Sequence, residues 1–231
     1  MSAEPLKAAS RRLPRWVLAA LSCLGASAQA AEIPLYATGP SQDAAFVRFV
    51  NAQTGVLEVS SAGSAARTKL EPTQPASPFY AVNANARVKG RFHAGSQQGD
   101  ISLTVKPGEF ASVVALPGNG TIKQVILREQ PDDFNALKVS LALYNIDPQC
   151  STAGLKVLGR SAALFDSVAS GSLQRRALNP VSISVQLVCK GVIAPATLAL
   201  GALQAGQRYS VFVLPEGSNS RLVITSDNLA H

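Results

Sequence analysis

From residue 44 onward, apolar and polar side chains exchange places with a period of two. "AAFVRFVN" (44–51) sets Phe46 and Arg48 on one side and Val47 and Phe49 on the other. "DISLTVKPG" repeats the device with Ile101, Leu103 and Val105, and "LKVSLALYN" with Leu137, Val139, Leu141 and Leu143. "VSISVQLVCKG" does so again with Val181, Ile183, Val185 and Leu187. Period two with β-branched enrichment predicts strands. Between the runs lie "KPGE", "LPGNG", "EQPDD", "NIDP" and "LPEGS". These suit turns, because proline fixes φ while glycine and asparagine tolerate positive φ. One interval is helix-like, "SAALFDSVASGS" (161–172), though Gly171 and its serines weaken it. Short strands separated by turns predict an all-β chain built from antiparallel sandwiches.

One strand–turn–strand sentence is written twice. "EFASVVALPGNG" (109–120) returns 98 residues later as "QRYSVFVLPEGS" (207–218). Ser112, Val113, Leu116 and Pro117 match Ser210, Val211, Leu214 and Pro215. Gly108/Gly206, Lys123/Arg221, Val125/Val223 and Ile126/Ile224 keep the same offset. A looser parallel links the opening strands, "AAFVRFVNA" and "LKVSLALYN". A fixed register over so many positions predicts two tandem sandwiches rather than a chance hairpin match inside one larger sandwich. The expected units are 31–132 and 133–231, each about the hundred residues usual for such a sandwich. Their joint is expected in "REQPDDFN" (128–135), where proline and acids interrupt the alternation.

Residues 1–30 belong to export rather than to the fold. Lys7, Arg11, Arg12 and Arg15 precede the apolar run "WVLAALSCLGA", and Ala28 and Ala30 supply an A-x-A cleavage site. The run is too short for a bilayer, which needs about 20 apolar residues. The most apolar later stretch, "GVIAPATLALGAL", is broken by Pro195, so no membrane span is expected. Cys23 makes a poor lipoprotein site because apolar residues continue past it. The twin arginines of "SRRLPR" are followed by Pro14 where such signals favour an aromatic or aliphatic residue. General secretion to the periplasm of a Gram-negative cell is the expectation.

Cleavage changes the charge. The whole chain has 21 basic and 14 acidic side chains; without residues 1–30 these become 17 and 13, a net +4. That is too mild for a nucleic-acid binder. Cleavage also leaves an even pair, Cys150 and Cys189. In an oxidising compartment two cysteines in one domain are expected to pair, the alternative being two buried thiols.

A catalyst is hard to assemble from this chain. Serine chemistry needs a base, usually histidine, and only His93 and His231 exist. No G-x-S-x-G elbow occurs. "QQGDIS" interrupts a Gly-Asp-Ser block with Ile101, and Asp227 and His231 are one residue too far apart for D-x-x-H. Asp132 and Asp133 are turn neighbours pointing apart. No His/Cys/Asp/Glu run has metal-ligand spacing, so neither metal nor cofactor is expected. The only tryptophan, Trp16, leaves with the export segment, removing the usual material for stacking sugar rings. One constellation stands above background: "ARVKGRF" places Arg87, Lys89 and Arg91 on one face of a strand. Such a stripe suits an acidic polysaccharide or an acidic protein patch, or simply guards a sheet edge against aggregation. A second basic pair, Arg175–Arg176, falls in an expected loop.

"PLYATGPSQDAAFVRFVNA" (34–52) resembles the start of mature alginate O-acetylation proteins of the AlgF type, and "RALNPVSISVQLV" (176–188) resembles that family's asparagine-proline strand opening. The order of segments agrees along nearly the whole mature chain. The resemblance implies a periplasmic, non-catalytic accessory protein required for O-acetylation of an exopolysaccharide, alginate or, in some members, cellulose. It implies partners too: a membrane-bound O-acyltransferase and an SGNH-like periplasmic acetyltransferase. No active-site residue is carried over. Two other functions stay open at this level: a polysaccharide-binding module of the same system, and a transferase carrying acetyl on Ser102 or Ser112.

Overall fold

The computed structural model describes residues 44–130 and 135–230. The expected export segment 1–30, residues 31–43, residues 131–134 with the expected boundary between 132 and 133, and His231 lie outside the described residues. Eight strands form the first half: β1 (Ala44–Asn51), β2 (Leu57–Ser61), β3 (Arg67–Leu70), β4 (Tyr80–Asn83), β5 (Arg87–Ala94), β6 (Gln97–Thr104), β7 (Phe110–Pro117) and β8 (Ile122–Glu129). Eight form the second: β9 (Val139–Asn145), β10 (Thr152–Val157), β11 (Ala163–Ala169), β12 (Ser172–Leu178), β13 (Val181–Cys189), β14 (Val192–Leu203), β15 (Arg208–Glu216) and β16 (Asn219–Ser226). No described residue is helical. None of them therefore forms a helix able to cross a membrane.

The strands make four sheets of four: β4-β1-β7-β8 and β3-β2-β5-β6 in the first half, β12-β9-β15-β16 and β11-β10-β13-β14 in the second. Adding eight to every strand number of the first half gives the second. The chain is thus two tandem sandwiches with one topology. The register repeats as well. Ser112 faces Leu127 and Leu116 faces Lys123 across β7–β8, as Ser210 faces Thr225 and Leu214 faces Arg221 across β15–β16. Each sandwich also contains one parallel pair, β1–β7 and β9–β15, which side-chain alternation alone does not disclose.

Repeated residues have repeated jobs. Gly108 (φ 70°) and Gly206 (φ 74°) both take left-handed backbone, where a side chain would be strained. Their N–H groups donate to the carbonyls of Ala44, the first residue of β1, and Lys138, just before β9, at the start of the strand that runs parallel to β7 or β15. The two opening strands end in Asn51 and Asn145, both fully buried. The Asn51 amide donates to the carbonyls of Gly55 and Leu70, and the Asn145 amide to those of Cys150 and Val168. Each asparagine ties its strand to the chain entering the opposite sheet.

The helix-like interval 161–172 is instead β11 and the turn that follows it. Phe165 and Val168 both face inward although three residues apart. The β10–β11 register slips on either side of Leu155, and such irregularity mimics helical spacing. Pro195, which interrupts the apolar run, sits in β14, a strand at a sheet edge where a missing N–H is tolerated.

Each sandwich has its own apolar core. Val47, Leu57, Phe92 and Val113 belong to the first, and Leu141, Leu155, Leu187 and Val211 to the second. A third cluster joins Val50, Val114 and Leu127 to Tyr144, Phe212 and Leu214. It lies between sheet β4-β1-β7-β8 and sheet β12-β9-β15-β16, packed by their outward faces. Besides their joint, the two sandwiches thus share a broad apolar contact, and the described residues fall within one compact unit. β7 and β15 are buried on both faces for this reason, which explains "ASVVAL" and "YSVFVL". One alternate set of side chains fills its own core, and the other fills the contact between sandwiches.

Candidate functional site

Two features stand out from packing: a buried ionic clamp between the sandwiches and the cationic strand β5. The clamp begins with Arg48, which the pleat of β1 turns away from its own core. Its side chain is 1% exposed. The guanidinium donates from Nε to Ser112 Oγ at 2.8 Å and from Nη2 to Ser210 Oγ at 2.9 Å. These are the serines matched between the two hairpins, so equivalent faces of the two copies meet at one side chain. From Nη1 it donates to Asp227 Oδ1 at 2.7 Å. Phe79, Tyr144 and Phe212 surround the guanidinium carbon at 4.4, 5.0 and 5.0 Å from their ring centres, close enough for cation–π attraction.

The clamp continues through Asp227. Its Oδ1 also accepts from Ser210 Oγ at 2.7 Å, and its Oδ2 accepts from Arg175 Nη2 at 2.8 Å. Arg175 closes a two-pronged contact with Glu129, 3.1 Å from Nε and 2.9 Å from Nη2, and Arg208 reaches Glu129 Oε1 at 3.4 Å. Burial pushes the Asp227 carboxyl up, but Arg48, Arg175 and the Ser210 hydroxyl outweigh it and hold the group below its ordinary 3.8. Burial would also loosen the Arg175 proton, and Glu129 and Asp227 reverse that, raising its pKa. Burial raises the Tyr144 phenol, with Arg48 opposing. Every group in the clamp is held by another. Its work is to orient one sandwich on the other.

The expected site residues distribute as follows. Arg87, Lys89 and Arg91 all lie exposed on β5, alternating with inward Val88, Gly90 and Phe92. Gly90 is required between them: a Cβ there would meet the Ser60 carbonyl oxygen at 2.4 Å. Arg91 pairs with Asp100 of β6 at 3.1 Å. Cys150 and Cys189 are joined in a disulfide with Cα atoms 5.4 Å apart, at the end of the β10–β13 pair. Ser112 is buried beneath Arg48, whereas Ser102 is exposed on β6 opposite Lys89. His93 is the penultimate residue of β5, opposite Glu58 and Gln98. Arg175 and Arg176 are not in a loop but on β12, where Arg175 enters the clamp and Arg176 donates to the Leu164 carbonyl. Their alternation within "SLQRRAL" is masked because the inward-turned position is itself charged. Among the described residues, no three His, Cys, Asp or Glu side chains gather where they could hold a metal.

Sequence reasoning missed Arg48, Asp227 and Glu129 as partners. The one available signal was an arginine at the centre of "AAFVRFVN", with apolar residues on both faces of its strand.

No family profile and no curated protein matches the sequence. Among solved structures, the chain is similar to the C-terminal domain of AlgF from P. aeruginosa, with 20% identity over 39% of this chain and 98% of that one, at a TM-score of 0.33. It is also similar to a candidate cell adhesion protein from Bacteroides uniformis, with 8% identity over 80% and 98% of the two chains and a TM-score of 0.27. The Bacillus anthracis TIE protein shows 10% identity over 78% of this chain and 34% of its own, at a TM-score of 0.25.

Proposed function

We propose that this chain is a non-catalytic adaptor of exopolysaccharide O-acetylation, working in the periplasm beside a membrane-bound O-acyltransferase and an SGNH-like acetyltransferase. The resemblance of "PLYATGPSQDAAFVRFVNA" and "RALNPVSISVQLV" to AlgF-type proteins supplies the pathway. The observation that supports an adaptor is the clamp. Two sandwiches fastened through their inner sheets keep the outer sheets, β3-β2-β5-β6 and β11-β10-β13-β14, at a fixed relation. Such a body holds two partners together, raising the effective concentration of one near the other. It does so without the ordering cost a floppy tether imposes. The asparagine-proline motif fits a structural role, since Asn179 and Pro180 form the step from β12 into β13 and carry the chain from one sheet to the other.

The test is deletion in the producing strain, with acetyl ester content measured on the exported polymer and co-purification from the envelope. Loss of esters, together with recovery of acyltransferase or acetyltransferase on the tagged protein, is expected. Unchanged ester content sinks the adaptor role. Covalent labelling of the purified protein by an acetyl-donor analogue, lost on Ser102→Ala, would replace it with a transferase.

A further inference from the structure

The two sandwiches differ at one edge, and the difference leaves a hole. In the second, the edge strands β11 and β12 are seven residues each and are joined by the tight turn Ser170–Gly171, which sets the two facing sheet edges against each other. In the first, the corresponding β3 and β4 are four residues each. Their connection, residues 71–79, is diverted to the other sandwich. The Pro72 carbonyl accepts from Arg221, and Phe79 exchanges backbone bonds with Asn228 and Ala230. Among the described residues β3 pairs only with β2 and β4 only with β1, so each stands at the edge of its sheet.

Between these edges is a cleft of about 260 Å³ whose wall includes Val47, Phe49, Val59, Tyr80, Val82 and Val88. That lies below the range of drug-sized sites, about 300–1,000 Å³, and suits one or two side chains. A wider, shallower depression continues from it and shares Val82, Val88 and Lys89, with Arg87 at its border. Among the described residues neither Arg87 nor Lys89 has a carboxylate partner, whereas Arg67, Lys69 and Arg91 of the same sheet each have one. An apolar slot, an edge strand with unused backbone groups and two unpaired cations meet at one place. Edge backbone favours a polypeptide over a sugar, because an added strand satisfies those N–H and C=O groups directly.

From this geometry we infer that the cleft between β3 and β4 receives an extended acidic peptide segment of a partner protein. The segment adds as a strand beside β4, puts one or two apolar side chains into the slot, and sets acidic residues against Arg87 and Lys89. The site needs no assumption about which polymer is acetylated, or whether one is.

The probe is a fluorescein-labelled heptapeptide alternating glutamate with valine, titrated with the purified chain by fluorescence anisotropy. Saturable binding is expected. It weakens at least tenfold in Arg87→Glu/Lys89→Glu and, separately, in Ala66→Trp, where an exposed residue at the cleft wall becomes a plug. Both variants should keep the parent's unfolding temperature, which separates blocked binding from misfolding. Absence of saturable binding overturns the inference. So does binding that Ala66→Trp leaves untouched and that an oligouronate matches, since that describes a bare cationic patch. A change in sedimentation with Ala66→Trp and none in peptide affinity also overturns it, naming a second copy of the chain as the occupant. An intact adaptor phenotype in a strain carrying the charge-reversed pair sinks this site's part in acetylation and leaves the proposed pathway standing.

Discussion

Replacing Arg48 with methionine keeps much of the side-chain volume and removes the cation from the centre of the clamp. The cost follows from what remains. Asp227 is 3% exposed at its side chain and loses one of its two arginines, keeping Arg175 and the Ser210 hydroxyl. Removing one partner of a buried pair costs about 3–5 kcal/mol when the other charge is left alone. With Arg175 still in place the lower end applies, about 3 kcal/mol. In a body of this size that corresponds to a fall of about 6–12 °C in unfolding temperature. Asp227→Asn should cost a similar amount from the other side, leaving Arg48 with two neutral hydroxyls and three ring faces. The double variant contains neither charge, so its loss should fall short of the sum of the singles by about 2 kcal/mol. Urea unfolding followed by far-UV circular dichroism suits the measurement, because the only tryptophan, Trp16, falls in the expected export segment. Strictly additive losses, within about 0.5 kcal/mol, would show that Arg48 and Asp227 do not act as a pair. A single-variant loss below about 1 kcal/mol would reduce Arg48 to a passenger in an apolar contact.

Three further outcomes follow from the same geometry. Because the folded pKa of Asp227 is depressed, its stabilisation is present above the unfolded value near 4 and is lost as pH falls through the lower folded value. Stability should therefore fall below about pH 4 more steeply in the parent than in Asp227→Asn, as read from unfolding midpoints at stepped pH; parallel profiles would refute it. Reducing the Cys150–Cys189 bond, which spans 39 residues of sequence, should cost about 4 kcal/mol in the chain-entropy account. A melting curve indifferent to reductant would contradict this. Asn51→Ala and Asn145→Ala each strip the amide donor from two carbonyls, at about 1–3 kcal/mol per buried group left unpaired. Hydrogen exchange should locate the loosening at residues 51–57 and 145–152, and exchange confined elsewhere would count against the shared role.

Strands proved easy to read from this sequence where one face is wet. The alternations of 101–105 and 181–187 fall within or at the end of β6 and β13, and "AAFVRFVN" coincides with β1 although that strand is buried on both faces. The 98-residue repeat was legible for a firmer reason: the same hairpin register and the same left-handed glycine are needed twice. What the pattern concealed was the contact between sandwiches. Once a strand is buried on both faces, alternation no longer says which side is core and which is partner, so Ser112, Val114 and Leu116 read like any outward set. The clamp was hidden more deeply. Arg48, Glu129, Arg175 and Asp227 are far apart in sequence, and a charged residue at an outward strand position is ordinarily solvated. Only the meeting of two equivalent faces makes these charges neighbours.

That meeting also bears on how one duplicated unit could serve two partners. Like faces of the two copies pack on each other, the arrangement expected of a two-fold dimer whose halves are equivalent. Symmetry fails at Arg48, whose counterpart in the parallel pairing of β9 with β15 is Ala142: Arg48 stands opposite Ser112, and Ala142 opposite Ser210. One arginine therefore engages both serines, which two arginines could not do without facing each other in an apolar layer. The inner sheets are thereby committed to each other where they touch. The outer sheets differ in charge. β5 presents Arg87, Lys89 and Arg91 beside an open edge, whereas β13 and β14 carry no charged residue over 181–189 and 192–203. A partner suited to the first surface is therefore electrostatically unsuited to the second. If so, charge reversal on β5 should release one binding partner in a pull-down and retain the other, and simultaneous loss of both would mean that a single surface does all the binding.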